Sequence, residues 1–251
     1  DKGIYENGEA VTLGPGESNG ITDAETHNKY GNVSLVGDNA RMEFYFPENP
    51  NGQMVVICPG GGYSTVCARK EGEDVAKWMN RRGVAVCVVV YRLPNGHSNV
   101  PLTDVRNAFR YCRKHAAEWG ISQIGIMGFS AGGHLAATAS VFFTDNITRP
   151  DFSVLIYPVI DLTHHNGTRK ELVGESETLK EKYSLQNQVG ANTPRTFIAL
   201  CQDDNVVNPK SSLMYYNSLL DKGIKAEMYI FPTGGHGWWF LNEELAGRKS
   251  E

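Results

Sequence analysis

The segment GFSAGGH (128–134) sets Ser130 between glycines at the G-x-S-x-G spacing. A serine hydroxyl is a weak nucleophile at neutral pH and needs a base within hydrogen-bond reach, itself oriented by a third group. The chain has seven histidines. His236, in the Gly-rich stretch FPTGGHGWW, is the candidate base, because it follows the last strand-like run of the chain. His134 lies one helical turn beyond Ser130, is carried down the helix, and is read as a packing residue or a support for the site rather than as the base. His164 and His165 fall in a polar stretch, the ordinary setting of solvated histidines. For the acid, TFIALCQDDNVV offers Asp203 and Asp204 directly after another strand-like run; Asp204 is preferred, and Asp203 and the Asp161 of YPVIDL stay open. The acid would hold the imidazole tautomer and stabilise the imidazolium. The order Ser, acid, His is the one expected when a nucleophile stands on a strand-to-helix turn.

A developing oxyanion needs amide donors, and CPGGGY (58–63) supplies a loop flexible enough to aim them. Pro59 has no N–H to give. The amides of Gly61 or Gly62 are therefore expected to converge with that of Ala131.

These groups need elements to hold them. Short apolar or β-branched runs without alternation occur at 84–91, 124–128, 152–158, 196–201 and 226–231, with Met54–Cys58 before them. Such runs read as strands buried on both faces, hence as a parallel sheet. Between them, 101–119 places Leu102, Val105, Phe109, Cys112, Ala116 and Trp119 at helical steps, starting from Pro101. Strands alternating with helices predict an α/β three-layer sandwich with its ligand site at the carboxyl ends of the strands. IGIMG before Ser130 and AGGHLAATASVFF after it place the serine on a strand-to-helix elbow.

One domain over 1–251 is expected, with a polar N-terminal extension over about residues 1–30. With 24 Lys+Arg against 28 Asp+Glu and no run of like charges, neither a nucleic-acid surface nor an anionic-membrane patch is expected. A small or neutral molecule is the expected partner. Five scattered cysteines suit buried free thiols better than a disulfide framework or a metal site, and no metal or organic cofactor is expected. The opening residues carry no apolar signal core and no 18-residue apolar run occurs, so neither a signal peptide nor a membrane span is read. A periplasmic or secreted bacterial location is favoured over a cytoplasmic one.

With PGGGY, GFSAGGHLAAT, YPVID, DDNVV and GGHGW in order, the chain resembles the α/β-hydrolase serine esterases, and among them bacterial carbohydrate esterases of the acetylxylan-esterase type. The similarity runs over about residues 30–241. The resemblance implies an α/β-hydrolase three-layer sandwich with a mostly parallel central sheet. It implies a nucleophile at Ser130, an acid at Asp204, a base at His236, and oxyanion donors at Gly61, Gly62 and Ala131. The reaction it implies is hydrolysis of short O-acyl esters, acetyl foremost, on plant-wall carbohydrate such as xylan. A feruloyl esterase, a general short-chain carboxylesterase, a prolyl-oligopeptidase-type peptidase and a non-catalytic binding module on the same fold are its rivals. Tyr63, Trp238 and Trp239 are candidates to floor the acyl pocket or stack on sugar, with core burial as the competing reading. Two positions depart from the pattern: Cys58 stands where related esterases often carry His, and Pro209 comes one place late after DNVV.

Overall fold

A computed structural model describes residues 9–13, 16–163 and 166–238. The strands are β1 (Glu9–Thr12), β2 (Thr26–His27), β3 (Val33–Ser34), β4 (Arg41–Tyr45), β5 (Gln53–Cys58), β6 (Ala85–Val90), β7 (Gln123–Phe129), β8 (Ser153–Ile156), β9 (Thr196–Cys201) and β10 (Ala226–Phe231). The helices are α1 (Asp74–Asn80), α2 (Val100–His115), α3 (Ala131–Val141), α4 (Asn166–Val173), α5 (Glu177–Lys182) and α6 (Lys210–Asp221), and a π-helical turn, Arg69–Glu73, leads into α1.

Eight strands form one sheet in the order β1-β4-β6-β5-β7-β8-β9-β10. β1, β4 and β6 pair antiparallel in turn, and every pairing from β6 to β10 is parallel. The strands at the centre are buried along almost their whole length, as their unbroken apolar runs require. α2 turns Leu102, Val105, Ala108, Phe109 and Cys112 inward and ends at His115, so 116–119 form a turn rather than the last turn of helix. α3 is built of small residues and is buried from Ala131 to Ser140, which lets it lie directly behind β7 and β8.

The N-terminal segment is more than a polar extension. β1 joins the main sheet against β4, and Asn19 is fully buried, its amide donating to the carbonyls of Val36 and Leu93 at 2.9 and 2.8 Å. All five cysteines are free thiols, four buried and Cys67 partly so. Among the described residues no helix is long and apolar enough to cross a membrane.

Candidate active site

The carboxyl ends of β5, β7, β9 and β10 bring the site together. Ser130 follows β7 with φ 57° and ψ −120°, a backbone conformation costly for any residue with a Cβ. The turn is held from three sides: the Ser130 N–H donates to Ile156 O at 3.1 Å, and the amides of Val159 and His134 donate to the Ser130 carbonyl at 3.0 and 3.1 Å. Glycine is required next to it. A methyl group added at Gly132 would sit 2.1 Å from the Cys58 carbonyl oxygen and 2.3 Å from that of Pro59. The start of α3 therefore packs against the end of β5 with nothing between them.

His236 reaches the serine from the loop after β10. Its Nε2 lies 2.9 Å from Ser130 Oγ, and its Nδ1 lies 2.7 Å from Asp204 Oδ2. Because a carboxylate only accepts, Nδ1 carries the proton and Nε2 is left to accept from the hydroxyl. Asp204, almost buried, is anchored in turn: its Oδ1 accepts the amides of Val206 and Val207, each at 2.9 Å. Asp203 does not touch the ring. Its carboxylate accepts the amides of Gly235 and Gly234 at 2.8 and 3.3 Å, which shapes the loop that carries His236. Asp161 is occupied elsewhere, accepting from the Thr163 hydroxyl at 2.6 Å and from Gln186 at 3.0 Å.

The glycine loop after β5 is wound tightly. Gly61 and Gly62 have φ of 132° and 66°, the Gly61 carbonyl accepts the amides of Ser64 and Thr65, and the Tyr91 hydroxyl donates to Pro59 O at 2.6 Å. Both glycines line a cleft of about 480 Å³ that also exposes Ser130 and His236. Ala131, as the first residue of α3, presents an amide with no helical acceptor behind it. The arrangement can activate a hydroxyl and hold an oxyanion, the two requirements of acyl transfer.

The aromatic residues expected at the pocket are placed otherwise. Tyr63 is buried, with its hydroxyl 3.0 Å from His134 Nδ1, while His134 Nε2 donates to the Tyr183 carbonyl at 2.8 Å. Tyr63 is thus a prop beneath the elbow, not a cleft wall, because its hydroxyl finds its partner inside the core. Trp238 is also buried, edge-on to Tyr157 and Phe231 at ring separations of 5.4 and 6.0 Å. Trp239, His164 and His165 lie outside the described residues.

The cleft is lined instead by Ser64, Cys67, Lys70 and Glu71, by Gly167, Thr168 and Glu171 of α4, and by Val206. The Lys70 ammonium donates to the Gly237 carbonyl, closing the histidine loop onto the π turn. Burial pushes the Cys67 thiol up to about 12, so it stays protonated and inert at neutral pH. Burial likewise raises the Glu71 carboxyl, opposed by hydrogen bonds from Tyr157 and Gly60 and by the charge of His236. None of these walls is visible in the sequence, where ARKEGEDVAK and NGTRKELV read as solvated charged stretches. Among the described residues no cluster of three or more His, Cys, Asp or Glu could hold a metal ion.

The family model for BD-FAE matches residues 42–219. The acetylxylan esterase of Xylanibacter ruminicola is 37% identical over 229 residues, covering 86% of this chain and 47% of that protein. Endo-1,4-beta-xylanase B of Butyrivibrio fibrisolvens is 36% identical over 212 residues, covering 76% of this chain and 33% of that protein. The chain therefore spans about half the length of the first of these curated relatives and about a third of the second. The acetyl ester-xyloside bifunctional hydrolase of Caldicellulosiruptor lactoaceticus has a crystal structure that matches with a TM-score of 0.82 at 31% identity, over 98% of this chain and 94% of that one. A mostly parallel sheet with a serine elbow after β7, joined to a family match over most of the chain, gives one conclusion: the protein has the α/β-hydrolase fold and belongs to the BD-FAE family.

Proposed function

We propose that this chain is a serine esterase that removes short acyl groups, acetyl foremost, from the hydroxyls of xylan-type carbohydrate. The observation that carries the reading is the continuous relay from Ser130 through His236 to Asp204, with hydrogen-bond distances of 2.9 and 2.7 Å, opening onto the cleft beside Gly61 and Gly62. Support for the substrate class comes from two similar proteins, one named an acetylxylan esterase and one an acetyl ester-xyloside hydrolase.

In this reading His236 Nε2 takes the Ser130 proton as Oγ attacks the acyl carbon. The carbonyl oxygen becomes an oxyanion, held by amides of Gly61 or Gly62 and of Ala131, each worth roughly 3 kcal/mol. His236 then returns the proton to the departing sugar hydroxyl, leaving an acyl-serine. Water enters, gives its proton to the same nitrogen, and attacks the acyl carbon. Collapse of that second intermediate expels the carboxylic acid and restores the Ser130 hydroxyl. The chain's own groups carry every step, so no metal or organic cofactor is required.

Chain-length preference follows from the cleft walls. Each methylene received by an apolar slot gains ~0.8 kcal/mol, so a lipid esterase improves with chain length. Val206 is the one aliphatic side chain on this lining among the described residues; Lys70, Glu171, Thr168 and Ser64 extend no slot beyond it, and a long chain laid against them would desolvate charges without recompense. The test is a panel of 4-nitrophenyl acetate, butyrate and octanoate, run with acetate release from acetylated xylan and ferulate release from methyl ferulate. We expect acetate release from xylan and a kcat/KM for the acetyl ester at least about tenfold above butyryl, with kcat lost by about 10⁴-fold in Ser130→Ala. Rates rising with chain length would replace this reading with a general carboxylesterase. Ferulate release without acetate release would replace it with a feruloyl esterase.

A further inference from the structure

Glu71 is a buried acid beside the relay that no step above uses. It sits in the π-helical turn Arg69–Glu73, only 6% exposed, and borders the cleft. Its two oxygens serve two masters. Oε1 accepts the Gly60 amide at 3.0 Å, and Oε2 accepts the Tyr157 hydroxyl at 2.6 Å. Gly60 is the residue immediately before the loop glycines, and its carbonyl is tied to the Cys67 amide at 2.8 Å. A methyl group built on Gly60 would lie 2.7 Å from Glu71 Oε1 and 3.1 Å from Ser130 Cβ, so the carboxylate and the nucleophile flank the same backbone. Tyr157, after β8, has φ 35°, donates its amide to Ala199 O at 2.8 Å, and lays its ring 4.6 Å from the His236 imidazole.

Both groups that Glu71 meets are donors, so only a side chain with two acceptor oxygens satisfies them without rearrangement. A π turn is a costly way to begin a helix, and such turns collect at functional sites. Here it rotates one member of a charged run inward. Gly72 allows it, since a methyl group there would come within 2.9 Å of Val88 Cγ1.

We propose that Glu71 is a positioning residue for ester hydrolysis: one carboxylate fixes both the backbone entering the oxyanion loop and, through Tyr157, the plane of the His236 ring. The inference rests on the esterase reading above. Glu71 touches no reacting atom; it ties the electrophilic side of the site to the basic side, so that loop and imidazole keep their spacing when the oxyanion forms. Displacement of either by about 1 Å costs on the order of 100-fold in turnover.

The experiment measures kcat and KM for 4-nitrophenyl acetate in wild type, Glu71→Gln, Glu71→Leu, Tyr157→Phe and the Glu71→Leu/Tyr157→Phe double variant. Competent sites are counted by phosphonate titration, and folding is followed by thermal unfolding. We expect Glu71→Leu to lower kcat per competent site about 100-fold with KM within about threefold. Glu71→Gln, which keeps one acceptor for Gly60, should recover most of that loss. Tyr157→Phe should lower kcat by less than Glu71→Leu, and the double variant should fall no further than Glu71→Leu alone, because both changes cut the same tie. If Glu71→Leu does not fold, Glu71→Gln and Tyr157→Phe decide, each with a lowered kcat at unchanged KM. Unchanged kcat per site in those variants, or a loss confined to KM or to the number of folded sites, overturns the proposal while leaving the esterase reading intact. A wild type inactive on every ester overturns both.

Discussion

Asp203 and Asp204 are neighbours in the chain with different tasks. Asp204 meets the His236 ring at 2.7 Å, whereas Asp203 accepts the two glycine amides before it. An amide at position 204 would turn an N–H toward Nδ1 and favour the wrong tautomer, so Asp204→Asn should lower kcat by about 10⁴-fold. Asp203→Asn keeps an oxygen for Gly235 and should cost no more than about tenfold. Steady-state kinetics on the two variants separates them, and the reverse order would shift the acid by one residue. Ser130, His236 and the Asp pair were legible in the sequence because each sits in a motif set by backbone geometry, a glycine turn or a strand end. Tyr63 and Glu71 were not. Whether a tyrosine faces a cleft or a core depends on which polar partner lies within reach, and for Tyr63 that partner is His134. Glu71 belongs to a charged run, Arg69 to Asp74, that reads as solvated, and only the π turn brings it inside.

Among the elements, the elbow and the end of β5 behave as one object. The Gly132 Cα lies against the Cys58 and Pro59 carbonyls, both backbone groups that cannot swing aside. Gly132→Ala must part α3 from the loop that follows β5, with a predicted loss of about 1–3 kcal/mol of stability, measurable by urea unfolding. A loss below about 1 kcal/mol would mean that the loop yields more readily than its packing indicates. The strands from β5 to β9 were legible because burial on both faces writes itself as uninterrupted apolar runs, whereas β10 has the same apolar composition but closes the sheet as an edge strand, with Tyr229, Ile230 and Phe231 exposed rather than buried on both faces. β1 was not legible, since an edge strand reading EAVT joins through backbone hydrogen bonds that leave no side-chain signature. The helix of 101–119 was legible as amphipathic but too long by one turn, because Gly120, at φ 67°, turns the chain out of the helix and the Ile121 amide returns to the Ala116 carbonyl at 2.8 Å. α4 and α5 lie in a polar segment with few apolar anchors: α4 buries Leu172 and Val173 while its Gly167, Thr168 and Glu171 border the cleft, and α5 packs Leu179 against the core.

At the scale of the whole molecule, five parallel strand ends deliver the loop glycines, Ser130, Tyr157, Asp204 and His236 to one rim of the sheet, while the antiparallel β1-β4-β6 flank adds strands but no site residue. The sheet thus divides into a working edge and a supporting one. Ser130 links this division to overall stability. Its φ of 57° and ψ of −120° cost about 1–3 kcal/mol, which the rest of the fold must offset at every moment of the protein's life. Glycine bears no such cost at these angles. Ser130→Gly should therefore melt about 2–4 °C above Ser130→Ala, both being devoid of turnover. Calorimetry that finds the glycine variant no more stable than the alanine variant would show the turn to be relaxed. If it is strained, exchanging the serine for glycine leaves a descendant of this chain with spare stability in which to accumulate otherwise damaging substitutions. A catalyst on this scaffold would then have a downhill thermodynamic route toward becoming a binding protein.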